Sequence, residues 1–212
     1  MAEPTGLRER KKQRTRTAIS DAAITMFLER GFDNVSVSEI AAAAEVTKST
    51  VFVYFPTKDE LVLHRVADHI DEPARVVRER LPGKSPLDAL ADHFIASLAA
   101  RDPITGLNDN PDVIAYGKLV FGTPVLTAAR SRYQDRCEQL LGEALRETVP
   151  GQDPLRARLA ACQISAVLFL LMRTNRERVA DGTPADALAV RARDDAATAF
   201  TMLRQGLSSF CG

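Results

Sequence analysis

The chain has 212 residues, and its 28 basic and 28 acidic side chains give a formal net charge of zero at neutral pH. This balance excludes a protein that is positive over its whole surface, whereas it leaves room for the local basic patch that nucleic-acid binding requires. Hydrophobic residues form 45% and charged residues 26% of the chain, which excludes an intrinsically disordered protein and predicts a sizeable buried core.

The cysteines and the apolar segments indicate the compartment. Cys137, Cys162 and Cys211 are far apart and odd in number, so they predict no disulfide framework and fit a reducing cytoplasm. The polar, basic N-terminus lacks the apolar run of a signal peptide. The most apolar segment, residues 159–172, is interrupted by Gln163 and is shorter than a bilayer requires. We therefore expect a cytoplasmic protein without a membrane partner.

Two patterns follow one another at the N-terminus. Residues 1–10 contain Pro4 and Gly6 and show no apolar periodicity, which predicts a flexible arm. Residues 15–30 repeat apolar side chains on one helical face and are followed by Gly31, which predicts a first helix with a glycine stop.

A basic cluster overlaps the boundary between these two patterns. It is opposed by Glu9 alone and consists of Arg8, Arg10, Lys11, Lys12, Arg14 and Arg16. The cluster is either a solvated tail, as charge runs usually are, or a contact to DNA phosphates or the minor groove.

Residues 36–61 contain three helix starts in a short span. Ser36 and Glu39 form a capping-box pattern, in which each side chain bonds the backbone N–H of the other residue. Thr47 offers a cap to a second helix, and a capping-box pattern beginning at Thr57 starts a third. The first of these helices has one apolar face, formed by Val37, Ile40, Ala41 and Ala44. Short helices at sharp angles are typical of the helix-turn-helix, which places its second helix in the DNA major groove.

The second helix of this motif has a buried side and an exposed side. Val51 and Phe55 are expected to pack with Val46 in a small core. The remaining side carries Lys48, Ser49, Thr50, Phe52, Val53 and Tyr54. These residues either pack against the preceding helix or face DNA, where apolar groups contact thymine methyls and sugars. We favour the DNA interpretation, because packing alone does not explain so short a helix.

The rest of the chain shows helical periodicity and no strand pattern, so we predict an all-α fold. A helix over residues 58–81 is expected to bend or break at Pro73. Further helices are predicted over residues 86–100, 112–121, 124–148, 153–180 and 184–210, with a loop over residues 102–110. We expect an N-terminal arm with a three-helix DNA-binding domain over residues 1–57 and a second helical domain over residues 58–212.

The predicted helix over residues 153–180 is apolar on nearly all sides. Its apolar positions include Leu159, Cys162, Ile164, Ala166, Val167, Leu168, Leu170 and Leu171. Such a helix must be covered on several sides. It is covered either by the last helix from both subunits of a homodimer or within the core of a monomer, and we favour the homodimer.

The sequence shows no arrangement typical of catalysis or of metal binding. His64, His69 and His93 lack the spacing and the third ligand that a metal site needs. No nucleophile paired with a base, phosphate loop or metal-binding motif is visible. We therefore expect no enzyme activity, no metal and no cofactor.

An ordered pattern from about residue 14 to residue 61 comprises Ile19, Ala22, Ala23, Phe27, Gly31, Phe32, Val35, Val37, Ile40, Ala41, Val46, Thr47, Lys48, Thr50, Tyr54, Phe55, Lys58, Glu60 and Leu61. This pattern resembles the TetR family of transcriptional regulators. The resemblance implies an N-terminal DNA-binding domain and a C-terminal domain that binds a small-molecule effector and forms the homodimer. It also implies a repressor that the effector releases from a near-palindromic operator in double-stranded DNA.

The resemblance assigns roles to residues of the motif. Phosphates would be contacted by Thr47, Tyr54 and Lys58, and base edges by Lys48, Ser49, Thr50 and Val53. Ser36 and Phe52 complete the predicted DNA-binding set. Glu45 and Ser49 stand where the family has glycine, and Phe52 stands where it has tyrosine. Because glycine tolerates a positive φ, Glu45 predicts either a strained turn or a different turn.

An effector site is expected in the C-terminal domain, mostly apolar with a few polar anchors. Its candidate lining is Phe94, Leu98, Ile114, Leu119, Phe121, Tyr133, Cys137 and Phe169, with Arg173 and Asn175 as polar ends. The stretch from Leu119 to Tyr133 is similar to regulators with an acyl-CoA-type ligand domain, and lipophilic aromatic or cationic drugs are the rival ligands. Two alternative functions stay open: an all-α enzyme fused to a DNA-binding domain, and a ligand-free DNA-architectural protein.

Overall fold

A computed structural model describes residues 4–148 and 153–207. Within these ranges lie the helices α1 Pro4–Arg30, α2 Val37–Ala43, α3 Lys48–Tyr54, α4 Glu60–Ala67, α5 Glu72–Arg78, α6 Pro86–Ala99, α7 Pro111–Gly122, α8 Pro124–Thr148, α9 Pro154–Ala180 and α10 Ala185–Gly206. A short 3-10 helix, Pro103–Thr105, lies between α6 and α7. The described residues contain no strand, which confirms the predicted all-α fold.

The first helix, α1, is longer at its N-terminus than the sequence pattern predicted. The flexible arm expected over residues 1–10 is wrong for residues 4–10, which are helical, while residues 1–3 lie outside the described ranges. Pro4 stands at the first helical position, where its missing N–H has no partner to lose. The arginine, lysine, glutamate and glutamine residues that follow have high helix propensity, which outweighs the cost of Gly6.

The helix predicted over residues 58–81 is two helices, because α4 and α5 are separated by residues 68–71. The break predicted at Pro73 is therefore confirmed, but it lies before the proline. Pro73 occupies the first turn of α5, where no N–H is needed. In a continuous helix its ring would clash with the carbonyl of His69, four residues earlier.

The other predicted helices agree with the structure. The end of α1 is confirmed, because Gly31 adopts a φ of +84° and donates its N–H to the Phe27 carbonyl. The helices α6 to α9 begin and end within one or two residues of their predicted bounds. Residues 149–152 and 208–210, where a break and the end of the last helix were predicted, lie outside the described ranges.

The chain folds into two compact units. The first comprises Met1–Arg65 and Ala115–Arg130. Its largest fully buried side chains include Ile19, Phe27, Ile40, Phe55 and Leu61. Two side-chain hydrogen bonds add to this packing: Ser20 Oγ donates to the Leu61 carbonyl and the Tyr116 hydroxyl donates to the Val62 carbonyl, both at 2.9 Å. The second of these bonds attaches the middle of α7 to α4.

The second unit comprises Val66–Ile114 and Ser131–Gly212. Its core is built from α5, α6, α8, α9 and α10, and the ring centroids of Phe94 and Phe200 lie 6.3 Å apart within it. The 3-10 helix packs tightly on α9. Gly106, which ends the 3-10 helix, adopts a φ of +73° and leaves no room for a Cβ against the α9 backbone. A glycine is therefore required at this position.

A carboxylate bridges two histidines in the second unit. Glu72 Oε2 lies 2.8 Å from His69 Nδ1, and Glu72 Oε1 lies 2.9 Å from His93 Nε2. The hydrogen bond to Glu72 raises the pKa of His69, and the charges of Asp102 and Asp68 act in the same direction. The hydrogen bond from His69 lowers the pKa of Glu72. The cluster therefore links α5 to the turn before it and to α6. The strength of this link depends on the protonation of His69 and Glu72.

We predict that Glu72→Gln lowers thermal stability most between pH 4.5 and 6.5, the ordinary pKa values of glutamate and histidine. The raised pKa of His69 gives a stabilisation that is complete below 6.5 and is lost as the pH rises through the folded-state value. The lowered pKa of Glu72 gives a second stabilisation, which is complete above pH 4.5 and is lost as the pH falls through the folded-state pKa of Glu72. The difference in Tm between the variant and the parent should therefore shrink on both sides of this window.

The matched control is Glu147→Gln. Glu147 pairs with Arg78 at 2.7 Å, and arginine stays charged throughout this pH range. Its Tm difference should stay constant as the pH rises from about 6 to about 9. A Glu72→Gln difference that also stayed constant over this range would contradict the histidine contribution.

Candidate nucleic-acid interface

The second helix, α2, begins with the capping box that the sequence predicted. Ser36 Oγ accepts a hydrogen bond from the Glu39 N–H at 3.2 Å, and a Glu39 carboxylate oxygen accepts one from the Ser36 N–H at 2.8 Å. The other carboxylate oxygen lies 2.7 Å from Arg30, the last residue of α1. These hydrogen bonds, chiefly the one from the Ser36 backbone, lower the pKa of Glu39 to about 2. The Ser36 hydroxyl is thus a helix cap, and the start of α2 is fixed to the end of α1.

The turn between α2 and α3 takes the first of the two forms that the sequence left open, a strained turn at Glu45. Glu45 adopts a φ of +53°, a left-handed conformation that glycine reaches without penalty. Its N–H donates to the Ala42 carbonyl at 3.2 Å, and the Val46 N–H donates to the Ala41 carbonyl at 2.9 Å. This pair of hydrogen bonds is a Schellman motif, which satisfies the last carbonyls of α2. The turn therefore has the geometry that a glycine would give, with a glutamate in its place.

Three hydroxyl groups meet at the start of α3. Thr47 Oγ1 accepts a hydrogen bond from the Thr50 N–H at 3.1 Å and so caps the helix. The same oxygen lies 2.8 Å from both Ser49 Oγ and Thr50 Oγ1. Hydroxyls both donate and accept hydrogen bonds, so this cluster suits phosphate oxygens and base edges alike.

The side chains of α3 divide between a buried and an exposed side. Val51 and Phe55 are 0% and 1% exposed, respectively. On the opposite side, Phe52 is 43% and Val53 is 79% exposed. Lys48 and Ser49 are also exposed, while Thr50 and Tyr54 are half-buried. The predicted residues of α3 therefore form one surface of apolar, hydroxyl and cationic groups.

Lys58 has a structural role that the sequence analysis missed. Its Nζ donates to the Phe32 carbonyl at 2.5 Å and lies 4.4 Å from the centroid of the Phe32 ring. Burial lowers the pKa of Lys58, an effect opposed by the charges of Asp33 and Glu39. The partner is a backbone carbonyl 26 residues away, which no local pattern indicates. A phosphate contact by Lys58 stays a prediction, and it would require the ammonium group to share or leave this carbonyl.

The residues predicted to line an effector site fall into both units. Leu119 and Phe121 belong to the first unit, where the Arg130 guanidinium lies 5.0 Å from the centroid of the Phe121 ring. The second unit contains Phe94, Leu98, Ile114, Tyr133, Cys137, Phe169, Arg173 and Asn175.

Several of these residues have structural partners in the second unit. Asn175 is 2% exposed, and its Nδ2 donates to the Thr105 carbonyl at 3.0 Å. Arg173 is exposed and lies 3.8 Å from Glu177. Burial raises the pKa of the Cys137 thiol to about 11, so the thiol is protonated at neutral pH. Phe94 and Leu98 are buried in the core, and Ile114 packs against it. The ligand role of these residues stays a prediction.

The described part of the chain contains no group of three or more histidine, cysteine, aspartate or glutamate side chains placed to hold a metal ion. His64 Nδ1 lies 3.1 Å from Ser20 Oγ, so this histidine is part of the packing of the first unit. Cys162 is exposed, and the charge of Glu138 raises the pKa of its thiol, which disfavours the reactive thiolate.

Comparison with known proteins identifies the family. Residues 19–64 match the family profile described as bacterial regulatory proteins, tetR family. Over 166 residues the chain is 35% identical to the HTH-type transcriptional regulator TcmR of Streptomyces glaucescens, an alignment that covers 76% of this chain and 73% of TcmR. The chain belongs to the TetR family. It is therefore a DNA-binding transcriptional regulator, and α2 and α3 are its helix-turn-helix.

Further relatives agree with this assignment of the TetR-family regulator. It is 29% identical over 174 residues to the HTH-type transcriptional repressor LfrR of Mycolicibacterium smegmatis, covering 82% of this chain and 83% of LfrR. Native NalD, the secondary repressor of the MexAB-OprM multidrug efflux pump in Pseudomonas aeruginosa, has a TM-score of 0.58 at 22% identity, covering 89% of this chain and 96% of NalD. The SmeT–triclosan complex has a TM-score of 0.54 at 21% identity, covering 94% of this chain and 92% of SmeT. These two structures support the fold.

We predict that Glu45→Gly raises the free energy of unfolding by up to about 1 kcal/mol. A left-handed backbone costs a residue with a Cβ about 1–2 kcal/mol, and the greater freedom of glycine in the unfolded chain offsets part of the gain. Urea denaturation of the variant and the parent measures the difference. Ala44→Gly is the control, because Ala44 is the neighbouring residue with a φ of −89° and should lose stability. Equal destabilisation by both variants would show that the turn stores no strain.

Proposed function

We propose that this regulator is a cytoplasmic, homodimeric repressor. It binds a near-palindromic operator in double-stranded DNA and leaves the operator when a small apolar or amphipathic molecule binds its C-terminal domain. The surface of α3 is the observation that carries the proposal. Val53 is 79% exposed on a helix whose opposite side is anchored by buried Val51 and Phe55. Such a helix presents its outer side to a ligand outside the chain.

The contacts expected on this surface are of two kinds. Phosphate contacts set the register of the protein on DNA, while contacts to base edges determine the sequence that is preferred. We assign phosphates to Thr47, Tyr54 and Lys58, and base edges to Lys48, Ser49, Thr50 and Val53, with Ser36 and Phe52 at the border of the contact. One motif from each subunit would occupy half-sites about one helical turn apart.

A second copy of the chain is the proposed partner of α9 and α10. An exposed apolar stripe on α9 includes Leu155, Leu159 and Leu170, which are 60%, 52% and 50% exposed. On α10, Val190 is 72% and Met202 is 67% exposed. Side chains of this size gain about 1.5–3 kcal/mol each when they are fully buried. A homodimer of the TetR type would bury such surfaces.

The length and composition of α9 would also allow it to cross a membrane. Core helices of soluble proteins pass the same test. One side of α9, which includes Ala157, Ala161 and Ile164, is buried in the core of the second unit. This packing and the family favour the homodimer interface.

Two helices offer a route from an effector to the DNA-binding motif. Both α7 and α8 contribute residues to each unit, with Ala115–Arg130 in the first. Within the first unit, the Tyr116 hydroxyl bonds the Val62 carbonyl on α4, and Arg65 pairs with Asp21 on α1 at 2.7 Å. A shift of α7 would therefore displace α4 and, through α4, α1. The effector must also bind two arrangements of the dimer with different affinity, because equal affinity shifts no equilibrium.

We predict that apolar or amphipathic molecules raise the Tm and release the operator. The probes are acyl-CoAs and lipophilic aromatic cations, screened by thermal shift. Release is then measured by fluorescence anisotropy on an operator found by genomic selection. A compound that raises the Tm but leaves operator affinity unchanged contradicts the effector role, and a selection that enriches no palindromic site contradicts the operator.

We predict that Val53→Ser changes the preferred base at one position in each half-site. The loss of an apolar contact to the DNA should cost about 1 kcal/mol, or roughly fivefold in Kd, at the parent operator. The thermal stability of the variant and the salt dependence of its DNA binding should stay unchanged, because the Val53 side chain is exposed and makes no phosphate contact. Val125→Ser is the control, since Val125 is 53% exposed on α8. Identical sequence preferences for parent and Val53→Ser would show that Val53 does not reach the bases.

We predict that Leu159→Arg dissociates the dimer, because an unpaired charge would be buried in the interface. Since Leu159 is 52% exposed in the single chain, the subunit should stay folded. Size-exclusion chromatography with light scattering and circular dichroism measure these two properties. Leu81→Arg is the control, because Leu81 is 72% exposed outside α9 and α10. A dimeric Leu159→Arg protein, or a monomeric parent at micromolar concentration, would rule out this interface.

A further inference from the structure

The N-terminal part of α1 is a helical surface with a strong positive charge. Between residues 8 and 16 the chain has six basic side chains and one acidic side chain, Glu9. Residues 8–14 are exposed and belong to the continuous helix Pro4–Arg30. These charges therefore have fixed positions on a helix, which the side chains of a flexible tail would not have.

A contact between α1 and the end of α3 shows which side of this surface adjoins the recognition helix. The Arg16 guanidinium lies 5.7 Å from the centroid of the Phe55 ring, and Phe55 is the C-terminal cap of α3. An α-helix advances 1.5 Å and turns 100° per residue, so Lys12 lies about 6 Å and Arg8 about 12 Å before Arg16 on nearly the same side. Lys12 and Arg8 therefore lie on the side of α1 that adjoins the C-terminal end of α3.

We propose that Arg8 and Lys12 bind DNA phosphates beside the segment that α3 contacts, as a second backbone-binding surface outside the helix-turn-helix. This inference rests on the proposed DNA-binding function of α3. Arg8 and Lys12 form a row of cations about one helical turn apart, which attracts the phosphates of DNA. This row lies next to α3, whose exposed surface suits the major groove. Glu9 lies on the same side of α1 and opposes the attraction. Removal of its charge should therefore strengthen binding.

A helical surface and a flexible arm differ in what they contact. An arm that enters the minor groove senses the A·T content and the width of that groove. Cations held on a helix bind the sugar-phosphate backbone, so their contribution depends on salt and is the same for every sequence. The proposal therefore predicts a salt-dependent gain in affinity that does not depend on base composition.

The experiment uses the full chain and a mixed-sequence duplex of about 30 base pairs, with Kd measured by anisotropy at several salt concentrations. Each phosphate contact contributes about 0.9 to the slope of log K against log salt, so Arg8→Gln/Lys12→Gln should lower that slope by about 2 per subunit bound. Arg136→Gln/Arg146→Gln on α8 removes the same charge from exposed positions in the second unit and should leave the slope unchanged. Glu9→Gln should tighten binding a few-fold at low salt.

One further variant and one further DNA probe make the outcomes separable. Gln13→Pro keeps every charge but breaks α1 before its core segment, so it should also lower the slope. A parent protein that does not bind DNA overturns the proposed function. A parent that binds, with an unchanged slope for Arg8→Gln/Lys12→Gln, overturns this inference alone. An unchanged slope for Gln13→Pro, or a contribution of Arg8 and Lys12 confined to A·T-rich duplexes, overturns the helical backbone contact in favour of an arm.

Discussion

The surface that we propose to contact DNA depends on a helix of seven residues, α3, which is too short to be stable alone in water. Its conformation must therefore come from its anchors. Thr47 caps its start, the Phe55 N–H bonds the Val51 carbonyl at its end, and both Val51 and Phe55 are buried. All of these anchors act on one side or at the two ends of the helix. The outer side is consequently free of contacts that α3 needs for its own conformation, so it could bind DNA with the conformational entropy of α3 already lost on folding.

Polar contacts around α3 fix the helices next to it in the same way. The Arg30–Glu39 pair fixes the start of α2 to the end of α1, and the Lys58–Phe32 bond fixes the segment before α4 to the loop that follows α1. Both contacts converge on residues 30–39, so the angles between α1, α2 and α4 are set at one place. The strained turn at Glu45 then sets the angle between α2 and α3.

The features that the sequence predicted correctly are those whose partners lie within a few residues. The capping box at Ser36 and the glycine stop at Gly31 follow from short-range backbone geometry. At Glu45 the same geometry left two forms open, a strained turn and a different turn, and the structure has the strained one. The helical start of α1 was missed because its residues have high helix propensity but no apolar periodicity. The bond from Lys58 was missed because its acceptor is a distant backbone carbonyl. Side chains of the core and of a ligand site are of the same types, so residues such as Phe94 could not be divided between them.

The zero net charge of the chain conceals an uneven distribution of basic and acidic residues. Basic residues are concentrated in the first part of α1, so acidic residues outnumber basic ones in the rest of the chain. A charge distribution of this kind attracts DNA to one end of the first unit while giving the rest of the protein no general affinity for it. Because exposed charges are screened over about 10 Å at moderate salt, the attraction acts mainly on DNA that is already close to α1. Orientation, rather than overall attraction, is therefore what this distribution adds, because it favours encounters in which the first unit, which contains α3, approaches the DNA first.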